Sequence, residues 1–233
     1  MGAQRPAFPC TQPQREGAAV SEKKQPVIAN KNRTAAAEER LHEIVLAAVD
    51  IINERGYNGM SLQAVANKVG ITQAGVLHYV GNKEGLLFEV IEHYYDRSSS
   101  SEDYFSLFEP GGALEDGRPK IPEYCRLIVA ENAHQPEMVM LFQMLNTEAI
   151  SPAHPAHDYF VNRTRGVTER DGAEHDWSVP EGVDAQLALS VALAAMYGLE
   201  GRWLARPDEI DYEAEWARFE DVLFPLPLWE GYR

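Results

Sequence analysis

The sequence predicts an all-α fold, and three observations carry that expectation. Apolar residues recur at the three- and four-residue spacing of a buried helical face in segment after segment. No segment shows the sustained alternation of a half-buried strand. Between Ser61 and Lys83 the chain reads as two short helices joined by a tight glycine turn, and the other elements are organised around that stretch.

A chain of 233 residues is long enough for one large or two small domains with a real core. No apolar run approaches the roughly 20 residues of a membrane span. Residues 1–27 mix Pro, Gln, Gly, Arg and Glu without an apolar block, so a signal peptide is not expected and the chain reads as cytoplasmic. Cys10 and Cys125 are too few for a disulfide framework or a Cys-rich zinc site. The triplets at Asn32 and Asn162 would matter only in a secretory compartment. A net charge of −15 at first opposes any contact with phosphates. Its distribution removes the objection: residues 1–97 carry 11 Lys and Arg against 11 Asp and Glu, and residues 98–233 carry 10 against 25. A near-neutral head on an acidic body can meet DNA if the body is held away from the phosphates.

Taken in order, residues 1–34 have the composition of a disordered arm, with Lys23, Lys24, Lys31 and Arg33 bringing positive charge close to the first helix. From about Ala35 to Arg55, Leu41, Ile44, Val45, Ala48, Ile51 and Ile52 form one apolar stripe, and Gly56 ends the helix. Ser61 can cap the next helix, whose buried face is Leu62, Val65, Ala66 and Val69. Gly70 stands where a left-handed cap is needed, Ile71 plugs the angle, and Thr72 can cap the helix that follows. That helix, Gln73 to about Tyr79, buries Val76 and Val80 and turns Gln73, Ala74, Gly75, His78 and Tyr79 outward. Small residues at its start let the backbone approach a groove wall, where Gln, His and Tyr can exchange hydrogen bonds with base edges. A fourth helix, Glu84 to Tyr95, places Leu86, Leu87, Val90, Ile91 and Tyr94 on one side and is the one rigid connection from head to body that the sequence identifies.

These residues carry a resemblance. From about Leu41 to Tyr95 the chain resembles the DNA-binding domain of the TetR family of bacterial transcriptional regulators: Gly56, the Ala66 to Thr72 turn, the helix Gln73 to Val80, and Asn82-Lys83-Glu84-Gly85-Leu86 all agree in spacing. The resemblance implies DNA contacts from Ser61, Thr72, Gln73, Ala74, Gly75, His78, Tyr79 and Lys83. Two residues depart from the pattern: Leu77 stands where the family often has a phosphate-binding Tyr, and Val80 where many members have Phe.

The expected domains are the arm, 1–34, the helix-turn-helix head, 35–97, and a larger helical ligand-binding and dimerisation domain, 98–233. Residues 96–120 are rich in breakers and read as loop, with a short helical turn around Tyr104 to Phe108. Helices are expected at about Pro122 to His134, Pro136 to Ile150, Pro155 to Arg170, Val183 to Arg206 and Asp211 to Phe224. The fourth of these is apolar around its whole circumference, so it is buried on more than one side. Ala188, Ala192 and Ala195 would let a partner helix approach, and the family resemblance implies a homodimer formed through the last two long helices.

His154-x-x-His157-Asp158 with Glu148 has the residue types of a metal half-site, but its place among prolines at a helix start is that of caps and surface, so no metal or other cofactor is expected. Met138, Met140, Phe142, Met144, Leu145 and Tyr159 form an adaptable apolar set. That set reads either as core or as the lining of a ligand cavity in which Met138, Phe142, Gln143, Asn146 and Tyr159 orient a small molecule. No hydrolase triad, nucleotide loop or Cys-rich motif appears in its required context, so the chain is not expected to be an enzyme. The expectation is a homodimeric regulator, a repressor released from a palindromic double-stranded DNA operator by a small-molecule effector. The rivals are a ligand-independent regulator or activator, and a helical adaptor that binds another protein.

Overall fold

The structure, a computed structural model, describes residues 34–92, 104–165 and 175–233. The basic arm, Cys10, Asn32, Tyr94 and the far end of the helix expected at 155–170 lie outside the described residues. Within them the architecture is helical: α1 Ala35–Gly59, α2 Leu62–Val69, α3 Gln73–Val80, α4 Lys83–Val90, α5 Ile121–Ala133, α6 Pro136–Glu148, α7 His157–Arg165, α8 Ala185–Ala205 and α9 Tyr212–Leu223. A single helical turn at residues 104–106 precedes α5. No helix of the described residues is long and apolar enough to cross a membrane.

The ends of these helices are set by local chemistry. Thr34, Ser61, Thr72, Asn82, Asp184 and Asp211 each accept a backbone N–H of the first turn, which satisfies a donor that the helix leaves free. Helix α1 breaks at Gly56, whose φ of 71° lies in the left-handed region. Gly85 is required for a different reason: a Cβ there would stand 2.1 Å from the Val80 carbonyl oxygen, so a side chain would push α4 off the end of α3.

Burial divides the molecule into two apolar cores. The first unites the stripe of α1 with Val65, Val76, Val80, Leu86, Leu87 and Val90, and then continues into Leu141, Phe142, Leu145 and Phe160 of α6 and α7. The second gathers Tyr124, Trp177, Leu189, Leu193, Met196, Trp203, Trp216, Phe224 and Trp229. Helix α4 is therefore not the sole rigid link between head and body. Helix α6 packs directly on α1, and Asn53 donates to the Glu137 carbonyl at 3.1 Å. Sequence periodicity reports that a face is buried, not which helix covers it, so this connection has no local signal.

A second correction concerns α8. Ala192 is fully buried in the second core of its own chain, and Ala188 and Ala195 are half-buried. The exposed stripe is Leu187, Val191, Ala194 and Gly198, with Leu187 61% and Val191 47% accessible. The circumference is apolar as expected, but the stripe left open lies to one side of Ala192.

Candidate nucleic-acid interface

Helices α2 and α3 are short, eight residues each, so their placement depends on the turn and on what each buries. Gly70 closes α2 with φ 77° and ψ 28°, and the Ile71 N–H reaches back to the Ala66 carbonyl at 3.0 Å. Thr72 Oγ1 accepts the Gly75 N–H at 3.0 Å, which starts α3 with its hydroxyl spent on the cap. Val76 and Val80 are fully buried, each burial contributing roughly 1.5–3 kcal/mol, and they fix the rotation of α3 about its axis.

That rotation leaves Gln73, Ala74, Leu77 and His78 exposed on one surface. Gly75 and Tyr79 are half-buried, and Tyr79 packs against the first core with its ring edge-on to His78 at 5.6 Å. So Tyr79 is not the freely outward side chain expected, whereas Leu77, which sequence reasoning did not count among the contacts, stands at 36% accessibility between polar neighbours. Ser61 is exposed at the start of α2, its hydroxyl accepting the Ala64 N–H at 3.2 Å.

Lys83 begins α4, close to the end of α3, and is half-buried. Its Nζ donates to the Asn58 carbonyl at 3.4 Å and lies 4.4 Å over the Tyr57 ring, a cation–π contact. Burial lowers its pKa, and the Glu148 carboxylate opposes that shift. Two of the three ammonium protons remain for other acceptors.

The residues of the suspected metal half-site are used otherwise. Glu148 accepts the Tyr57 N–H at 2.7 Å and the Asn58 N–H at 3.3 Å. His154 is buried with its ring edge-on to Tyr57 at 4.9 Å, and His157 Nδ1 lies 2.7 Å from the Ala149 carbonyl. Burial keeps His154 below its ordinary pKa, against the pull of Glu148. Among the described residues no group of three or more His, Cys, Asp or Glu is arranged to hold a metal ion.

The five residues proposed to line a ligand cavity take different partners in the fold. Phe142 belongs to the first core, 5.2 Å from the Tyr197 ring and 5.8 Å from Phe160, and Tyr159 packs against the same core. Met138 and Asn146 are half-buried on α6. Gln143 instead donates to Glu200 at 2.7 Å and to the Tyr197 carbonyl at 3.2 Å. Glu200, 2% exposed, also accepts from Asn132 at 2.9 Å and from Tyr212 at 3.4 Å. Burial pushes its carboxyl up to about 7, with those three hydrogen bonds pulling the other way. Four helices thus meet on one buried acid, which the sequence does not disclose because its partners lie 12, 57 and 68 residues away.

The same elements recur in known proteins. Residues 44–90 match the sequence profile of the bacterial regulatory proteins, tetR family. Over 112 residues the chain is 26% identical to the HTH-type transcriptional repressor NicS of Pseudomonas putida, a match that covers 44% of this chain and 53% of NicS. The chain thus spans about half the length of that curated relative. The fold is similar to AibR, solved with isovaleryl coenzyme A and operator DNA, at a TM-score of 0.55 and 20% identity over 80% of this chain and 98% of AibR. It is equally similar to FadR of Bacillus subtilis, solved with stearoyl-CoA, at a TM-score of 0.55 and 16% identity over 78% of this chain and 96% of FadR. The profile match falls on the helices whose caps and exposed face are described above, so the segment 44–90 is similar to the bacterial regulatory proteins of the tetR family.

Proposed function

We propose that this protein is a DNA-binding transcriptional regulator, a repressor that holds a palindromic operator as a homodimer and releases it when a small molecule binds the acidic helical body. The observation that carries this reading is the exposed surface of α3: Gln73, Ala74, Leu77 and His78 stand out from a short helix whose opposite side is fixed by Val76 and Val80. Gln and His offer hydrogen-bonding groups to base edges, and Ala74 and Leu77 offer apolar contact to a thymine methyl. Ser61, Thr72, Gly75, Tyr79 and Lys83 border this surface and complete the proposed contact set, with Lys83 meeting a phosphate. In this reading α8 and α9 close the dimer through Leu187, Val191, Ala194 and Gly198 together with Val222, which is 79% exposed. Met138, Phe142, Gln143, Asn146 and Tyr159 approach the effector, and acyl thioesters of coenzyme A are the first compounds to screen.

Selection from random double-stranded DNA with the full chain tests the proposal. A two-fold symmetric sequence should be enriched, with half-site centres about 34 Å apart, one turn of B-DNA. Recovery of unrelated sequences at the nonspecific affinity would overturn it. A thermal-shift screen then identifies effectors, since a compound that binds only the folded state raises its stability.

A further inference from the structure

Glu148, at the C-terminal end of α6, joins body to head through its side chain. Its carboxylate accepts two consecutive backbone N–H groups, Tyr57 at 2.7 Å and Asn58 at 3.3 Å, immediately beyond the break in α1. The break is shaped for this contact: a Cβ on Gly56 would lie 2.4 Å from Glu148 Oε1. The other side of the same two residues holds Lys83, through the Asn58 carbonyl and the Tyr57 ring. One carboxylate of the body therefore fixes the short segment on which the first cation of α4 rests.

We propose that Glu148 is a positioning residue: through the Tyr57–Asn58 segment it sets where the Lys83 ammonium stands, and so sets the affinity of the head for DNA according to the position of α6. This rests on the DNA-reading function proposed above. The geometry has a narrow margin. Lengthening the Asn58 bond from 3.3 Å to about 3.6 Å ends it as a hydrogen bond. A small displacement of α6, the helix that also carries Phe142, Gln143 and Asn146, is then enough to release Asn58, whose carbonyl holds Lys83, while the shorter bond from Tyr57 persists. His154 closes the cluster from the other side, its Nε2 3.7 Å from Glu148 Oε2 and without a hydrogen-bond partner, so His154 does not hydrogen-bond the carboxylate to the body.

The test measures binding of the full chain to its selected DNA as a function of salt, for the parent, Glu148→Gln, Glu148→Asp, Lys83→Gln and Glu148→Gln with Lys83→Gln. Gln keeps the size but offers one acceptor to two donors, and Asp keeps the charge but shortens the reach. Both should bind at least fivefold more weakly, within the usual range of coupling between sites. Both should also lose about two units from the magnitude of the salt slope, because each protomer of the dimer loses one phosphate contact. Lys83→Gln should do the same, and the double variant should be no worse than Lys83→Gln alone. Parent-like binding by both Glu148 variants would overturn the inference, as would weaker binding at an unchanged slope or losses that add to those of Lys83→Gln. Loss of cooperative melting in both variants would also overturn it, by making Glu148 a requirement for folding. A parent that selects no DNA sequence would instead remove the proposed function itself.

Discussion

Replacing Glu200 by Gln should stabilise the protein, and more so as the pH rises. The carboxyl is buried, and burial raises its folded pKa to about 7 from an ordinary 4.5. A raised carboxyl pKa means that the folded state binds the proton more tightly than the unfolded state. Stability is therefore unaffected by this group below about pH 4.5, declines as pH rises between 4.5 and 7, and stays lower above 7. A shift of that size corresponds to about 3 kcal/mol at pH 8, most of it developed between pH 5 and pH 8. The Gln variant carries no charge to bury, and its amide can pair with the network if Asn132 turns its carbonyl inward. The assay is denaturant unfolding of parent and variant at pH 5 and pH 8, at one protein concentration so that any dimer contributes equally. The difference between variant and parent should move in favour of the variant by about 2–3 kcal/mol across that interval. Other groups that titrate in the interval, His154 among them, act on both proteins and cancel in the difference. Parallel pH profiles would refute the reasoning, since they would mean that the acid is charged at little cost where the structure places it.

Gly56→Ala should lower stability by about 1–3 kcal/mol, because it places a side chain both at a φ of 71° and against Glu148, and thermal melting measures it. Thr72→Ala removes the cap of α3 and should cost about 1 kcal/mol in the same assay while leaving the far-UV helix signal nearly unchanged. Leu187→Glu and Ala192→Glu place the same charge on one helix at sites of opposite exposure. The first should give a folded monomer in sedimentation, since Leu187 is exposed, whereas the second should unfold, since Ala192 is in the core. A dimeric Leu187→Glu protein would move the proposed seam away from this stripe.

What can be read from the sequence is what neighbouring residues decide among themselves. Ser61, Gly70 and Thr72 specify the boundaries of α2 and α3 by caps that act over three or four residues, and the structure places those boundaries as the spacing predicts. The all-helical class follows in the same way from periodicity. The exposed face of α3 is only partly legible, because Leu77 and Tyr79 flank the Val76 and Val80 stripe about equally at about 100° per residue. Which of the two is covered depends on packing from outside the helix, and it is Tyr79. The open stripe of α8 is hidden for a related reason: when every side of a helix is apolar, composition cannot say that Ala192 faces in and Val191 out. Glu148 and Glu200 are the least accessible to sequence reasoning. Their meaning comes from partners as far as 91 and 68 residues away, and an isolated Glu in an apolar helix carries no mark of what it will hold.

The central claim, that the exposed face of α3 reads base sequence, is tested most directly by measuring the parent and a Gln73→Ala, His78→Ala double variant against the selected operator and against unrelated DNA at the same salt concentration. Two base-edge contacts in each half-site at about 1–3 kcal/mol each predict a loss of roughly 2–6 kcal/mol per half-site of the operator, with affinity for unrelated DNA unchanged. Equal affinity of the two proteins for the operator, or an equal loss on both DNAs, would contradict the account.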